Sequence, residues 1–174
     1  MENKQSFSQK FSAFLEKNMP PGKKTERWVK GYVIGLTLAL LRSFDFLMDY
    51  HNAYENLFQW SGGDKKVLWQ GAIMPDFVEI LGESLGWFFG YCILFLAAVV
   101  WNYLYYYQDS KSIYLMKRLP NPLELHRRAW TLPLIAVGTT ILFSFVVLVL
   151  YFGIYMIFTP EECILPGQWN NIWR

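Results

Sequence analysis

The sequence is poor in charge. Asp, Glu, Lys and Arg make up 17% of its 174 residues, against about a quarter in soluble domains. Cysteine is scarcer still: Cys92 and Cys163 stand alone, so no disulfide framework is available. There is no glycine-rich phosphate loop followed by Lys-Ser/Thr, no HExxH and no CxxC. The chain is therefore expected to hydrolyse no nucleotide itself, to be no enzyme, and to hold no metal or cofactor of its own. The first thirty residues are polar and basic. They lack the short basic stretch and apolar core of a cleavable signal peptide. Internal repeats and low-complexity tracts are also missing.

Hydrophobic residues fill the space, at 53%, with 19% aromatic. Three apolar runs meet or exceed the ~20 residues a bilayer span needs: 29–48, 77–107 and 129–158. The third exceeds 40 Å at ~1.5 Å per residue, so it should tilt or project. Before them, Phe7, Phe11, Phe14 and Leu15 recur at helical spacing with Lys4, Lys10 and Lys17 off the stripe. This predicts an amphipathic helix within 1–28, either lying in the headgroup region or packed on a soluble partner. Pro20, Pro21 and Gly22 should end it. Between the first two runs, Ser61-Gly62-Gly63-Asp64 signals a turn, and 54–60 reads as a short interfacial helix. Residues 159–174 form a tail whose Trp169 and Trp173 suit headgroup depth.

The cations set the orientation. Lys4, Lys10, Lys17, Lys23, Lys24, Arg27 and Lys30 precede the first span. Lys111, Lys117, Arg118, Arg127 and Arg128 lie between the second and third. Only Lys65, Lys66 and Arg174 fall on the other side. Cytoplasmic loops carry the Lys/Arg excess, so the N-terminus is expected in the cytoplasm and the C-terminus outside, in a plasma membrane of bacterial type. The same layout separates His51 from His126. It also explains the basic clusters without nucleic acid.

Two sets of residues in the spans stand out. Gly31 and Gly35, and Gly82, Gly86 and Gly90, are spaced by four. This spacing can stack glycines on one helix face for close packing, or it can be chance in glycine-tolerant membrane helices. Arg42, Asp45 and Asp49 fall on one face of the first span. A charge in hydrocarbon costs about 3 kcal/mol even on insertion scales. Arg42 and Asp45 should therefore pair and face protein or water, as a structural ion pair or as the lining of a polar path. Glu79 and Glu83 sit one turn apart at the outer end of the second span.

The basic loop carries a further pattern. Ser110 or Ser112 can cap a short helix, with Ile113, Leu115, Met116 and Leu119 as its apolar side. Lys117 and Arg118 lie near its end, and Pro120 stops it. Pro122-Leu123-Glu124-Leu125-His126 then leads into the third span. Such a segment can rest on the inner leaflet or plug into a cytoplasmic partner.

In this layout the chain resembles the first half of an ABC-2-type transporter permease. Residues 7–15 are similar to its connecting helix, and Ser110 to Leu119 to the coupling helix that docks on the ATPase. The resemblance implies an all-α polytopic membrane protein serving as a subunit of an ATP-driven exporter. It would contact the ATPase through Ser112, Ile113, Leu115, Met116, Lys117, Arg118 and Leu119. ATP and Mg would be bound only in that partner, and further membrane subunits would assemble with it. The sequence departs from the family in having three spans where members have six. The competing reading is a non-transporting scaffold or regulatory subunit. Reporter fusions test the layout: one at Asp64 and one at the C-terminus should both report the extracytoplasmic side, and a cytosolic signal from both would refute it.

Overall fold

The computed structural model describes residues 7–18, 25–61, 65–69, 71–108, 123–168 and 172. The Pro20–Pro21–Gly22 elbow, the loop segment Ser110 to Leu119, and Trp169 and Trp173 lie outside the described residues. The elements run α1 (Phe7–Asn18), α2 (Thr25–Ser43), α3 (Asp45–Glu55), β1 (Phe58–Ser61), β2 (Lys65–Leu68), α4 (Phe77–Leu81), α5 (Gly86–Gln108) and α6 (Leu123–Phe158). A 3-10 turn follows at Glu161–Cys163.

Three helical stretches are long and apolar enough to cross a membrane: Thr25–Glu55, Gly86–Leu104 and Ala129–Phe158. The chain is thus a mostly helical protein of multi-pass membrane character. The 19 residues of the second stretch span about 28 Å, close to the ~30 Å hydrocarbon core.

Three sequence expectations are corrected. The chain is not purely helical, because β1 and β2 pair antiparallel with Phe58 opposite Leu68 and Ser61 opposite Lys65. The 54–60 stretch is not a helix: α3 runs only to Glu55, and β1 begins at Phe58. The second long helix starts at Gly86 rather than near Phe77. The cause of this last correction is Gly82, whose φ of +44° and ψ of −126° cannot continue a helix. Only glycine adopts that backbone without strain.

The chain divides into two compact units. The first comprises residues 1–37 and 89–141. In it Leu15 of α1 and Leu132 of α6 are buried together, with Trp28 and Val29 packed against them. Trp28, Tyr32, Tyr91 and Phe95 form an aromatic cluster, and the Tyr91 and Phe95 rings meet edge-on at 4.8 Å. Pro133 sits inside α6. It has no N–H to give the carbonyl four residues back, and the Asn102 amide of α5 donates to that carbonyl, on Ala129, at 3.5 Å.

The second unit comprises residues 38–88 and 142–174. Its core is aromatic. Phe46 stacks on Tyr151 at 4.5 Å, and Phe77 meets Phe46, Phe152 and Tyr155 edge-on. Phe46, Phe77 and Tyr155 are fully buried. The segment after α6 folds back instead of trailing away. The Met74 N–H donates to the Cys163 carbonyl at 3.0 Å. Gln168, buried in turn, accepts from the Phe77 N–H at 2.9 Å and donates to Asp76 Oδ1 at 2.9 Å and to the Leu165 carbonyl at 3.2 Å.

Gln168→Ala leaves the first N–H of α4 without its acceptor in a buried setting, a loss of about 1–3 kcal/mol. The unfolding midpoint in detergent should fall, while an exposed control such as Glu162→Gln should leave it in place. An unchanged midpoint for Gln168→Ala would mean the fold-back is not held by this side chain.

Candidate functional site

The polar residues of the first spanning stretch gather where its helix is interrupted. α2 ends at Ser43 and α3 begins at Asp45, with Phe44 between them. The Ser43 hydroxyl bonds the Leu40 carbonyl at 2.7 Å and shares a 2.9 Å bond with the Tyr151 hydroxyl. A serine that bonds back to the preceding turn competes with the helical ladder and bends it. The turn tightens here, with the Phe44 N–H donating to the Leu41 carbonyl three residues back. Ser43 is fully buried, so the hydroxyl pair satisfies both groups inside the apolar core.

Arg42 and Asp45 flank this break on the uncovered side. They pair at 3.3 Å, with side chains 59% and 42% exposed. Helix dipoles favour the arrangement, with a cation at the C-terminal end of α2 and a carboxylate opening α3. Asp49, one turn on, is exposed. Glu79 and Glu83 are exposed as well; Glu79 is on α4, and Glu83 is in the turn that follows it. Neither glutamate is brought into contact with Arg42. The described ion pairs are Arg42–Asp45 and Lys66–Glu55. Among the described residues, no group of three His, Cys, Asp or Glu could hold a metal ion.

The glycines separate by surroundings. Gly35 lies directly under the Tyr91 ring, so that an added Cβ would collide with it. Tyr91 is held there because its hydroxyl donates to the Gly31 and Tyr32 carbonyls at 3.0 and 2.8 Å. This is the close approach that four-residue glycine spacing permits, but the small residue faces a ring instead of a second glycine. Gly31, Gly86 and Gly90 have open space beside them. Gly82 is in the break after α4, so it does not share a helix face with Gly86 and Gly90.

The docking residues Ser112, Ile113, Leu115, Met116, Lys117, Arg118 and Leu119 lie outside the described residues. The helices leading into and out of that loop are described, and they are joined. In addition to the Asn102–Ala129 bond, the Trp130 indole N–H donates to the Tyr103 hydroxyl at 2.9 Å. α1 reaches the same region through Leu15 against Leu132.

Sequence reasoning missed two cavities beside the fold-back. One of about 510 Å³ opens between α6 and the segment after it, lined by Phe152, Met156, Ile164, Leu165 and Gln168. The other, of about 420 Å³, is lined by Trp69, Gly71, Glu162 and Cys163. Pro160 and the Pro166–Gly167 pair were the only local signals of a return there.

No family model, curated protein or solved structure matches this chain.

The glycine geometry makes a paired expectation. Gly35→Ala must displace a ring tethered by two hydrogen bonds, and overpacking of this kind costs about 1–3 kcal/mol. Gly31→Ala meets open space and should change stability by less than ~0.5 kcal/mol. Thermal unfolding of both variants in detergent checks the difference, which should vanish if Tyr91 does not occupy this position.

Proposed function

We propose that the chain is a transmembrane subunit of an ATP-driven exporter, with residues 110–126 docking on a separate cytoplasmic ATPase. In this reading the N-terminus and that loop face the cytoplasm of a bacterial plasma membrane, and the fold-back after α6 is outside. ATP and Mg act in the partner. The observation that carries the reading is the tie between the two helices flanking the loop. Asn102 bonds Ala129, Trp130 bonds Tyr103, and α1 buries Leu15 against Leu132. A push on the loop would therefore move the near ends of α5, α6 and α1 together instead of bending one helix alone. Coupling of this kind needs an element that shifts as a body between arrangements.

The aromatic contact at Tyr91 gives the first spanning stretch a share in the motion, since its backbone carbonyls hold the Tyr91 hydroxyl. A loop meant only to rest on lipid has no need of such bracing. Arg42, Asp45, Asp49, Glu79 and Glu83 then mark the polar surface nearest the outer part of the route.

The test is purification from membranes in mild detergent with identification of the proteins that accompany the chain. An ATPase should be among them, and replacing Leu115 and Met116 with Asp should remove it while leaving the membrane protein folded. A complex containing membrane proteins but no ATPase would favour the scaffold reading, and an ATPase retained by the double variant would refute docking through this loop.

A further inference from the structure

The cavity beside the end of α6 straddles the limit of the third spanning stretch. Phe152 and Met156 line it from within that stretch, which ends at Phe158. Glu161, Ile164, Leu165 and Gln168 line it from the segment beyond. Phe152 lies about 9 Å before Phe158 along the helix axis. The cavity is therefore apolar at the depth of the helix, and its one charged lining residue, Glu161, stands past the helix end. Its volume of about 510 Å³ falls in the range of sites that enclose small ligands.

The charges around it are of one sign. Residues 129–173 contain Glu161 and Glu162 and no other charged side chain or histidine. The segment bonded to the fold-back, 71–88, adds Asp76, Glu79 and Glu83, again with no Lys, Arg or His. Two of these acids are placed elsewhere: Asp76 accepts from Gln168, and Glu162 lines the neighbouring cavity. Among the basic groups of the same unit, Arg42 pairs with Asp45 and Lys66 with Glu55. Lys65 is paired with Ser61 in the hairpin, and His51 is near Glu55 on α3. Arg174 lies outside the described residues. Glu161 is exposed and belongs to neither described ion pair. The Gln168 amide gives its hydrogens to Asp76 and Leu165, which leaves Glu161 to recognise a polar head.

We infer that this cavity binds an amphiphile with one apolar chain and a cationic amine head. The chain lies against Phe152, Met156 and Ile164, and the amine meets the Glu161 carboxylate. The polarity gradient of the cavity selects the amphiphile, and the sign of its surroundings selects the cation. An anionic head of the same size would meet only carboxylates there. Near hydrocarbon, where the effective dielectric falls, an ammonium–carboxylate contact is stronger than in open water. The inference concerns binding alone and does not depend on the exporter reading.

The experiment uses the full chain in phosphatidylcholine vesicles, whose lipids carry no primary amine. The probe is a twelve-carbon alkylamine with a diazirine in its chain. Irradiation should label residues 152–168, and unlabelled dodecylamine should compete with it to saturation. Glu161→Gln, at an exposed position that leaves the fold intact, should raise the half-saturating concentration by about tenfold, corresponding to ~1.4 kcal/mol. Glu162→Gln should leave it unchanged, and Ile164→Trp, which fills the cavity, should suppress labelling. An alkylsulfonate probe of the same length should label this segment far less than the amine. Any of four results overturns the inference: labelling of 152–168 that is absent or does not saturate, equal labelling by amine and sulfonate, a half-saturating concentration indifferent to Glu161→Gln, or an equal rise with Glu162→Gln.

Discussion

A polar group inside hydrocarbon has no water to fall back on, and that constraint organises this chain. Pro133 interrupts the hydrogen-bond ladder of α6, and Asn102 reaches across from α5 to the carbonyl left open on Ala129. Ser43 bends the first spanning stretch, and Tyr151 meets its hydroxyl. Thr131, Thr139 and Thr140 turn their hydroxyls back onto carbonyls of their own helix. The Asn102 and Tyr151 answers each join two helices. In a lipid setting, where apolar packing cannot distinguish a helix from an acyl chain, such bonds do much of the choosing between neighbours.

The spanning helices were legible because their signal is compositional and long. A run such as 129–158 contains enough Leu, Val, Ile and Phe that no local detail changes the reading, and its bounds coincide with the third stretch. Shorter features were not legible to the same degree. The apolar run from Phe77 reads straight through Gly82, since periodicity carries no information about a φ of +44°. The hairpin had its turn signal in Ser61-Gly62-Gly63-Asp64, but its strands are four residues each, too short for alternation to outweigh helical residues nearby. Gln168 offered nothing local, because its partners at Phe77 and Asp76 are far away in sequence.

The candidate site divides along the same line. That Arg42 and Asp45 would pair followed from three-residue spacing, and they do. That both side chains would stay largely exposed did not, because spacing along one helix carries no information about what packs beside it. Among the glycines, spacing could not single out Gly35. What distinguishes it is the ring of Tyr91, held over it by the carbonyls of Gly31 and Tyr32. A four-residue glycine pattern marks where an approach is allowed, and the neighbouring helix decides which allowance is used. The loop-flanking bonds from Asn102 and Trp130 were likewise unreadable in advance, since each joins residues 27 apart.

The return of the segment after α6 bears on how the protein is made. The Phe77 N–H and its acceptor on Gln168 are 91 residues apart. At ordinary translation rates that separation is roughly 5–20 s of synthesis. For most of that interval the start of α4 and the neighbouring Pro75 carbonyl exist without Tyr155, which will bond that carbonyl. The second unit thus waits for Gln168, which is synthesised after the helix that ends at Phe158. A nascent chain stalled between Phe158 and Gln168 would hold all three apolar stretches while the Phe77 N–H still lacked its acceptor.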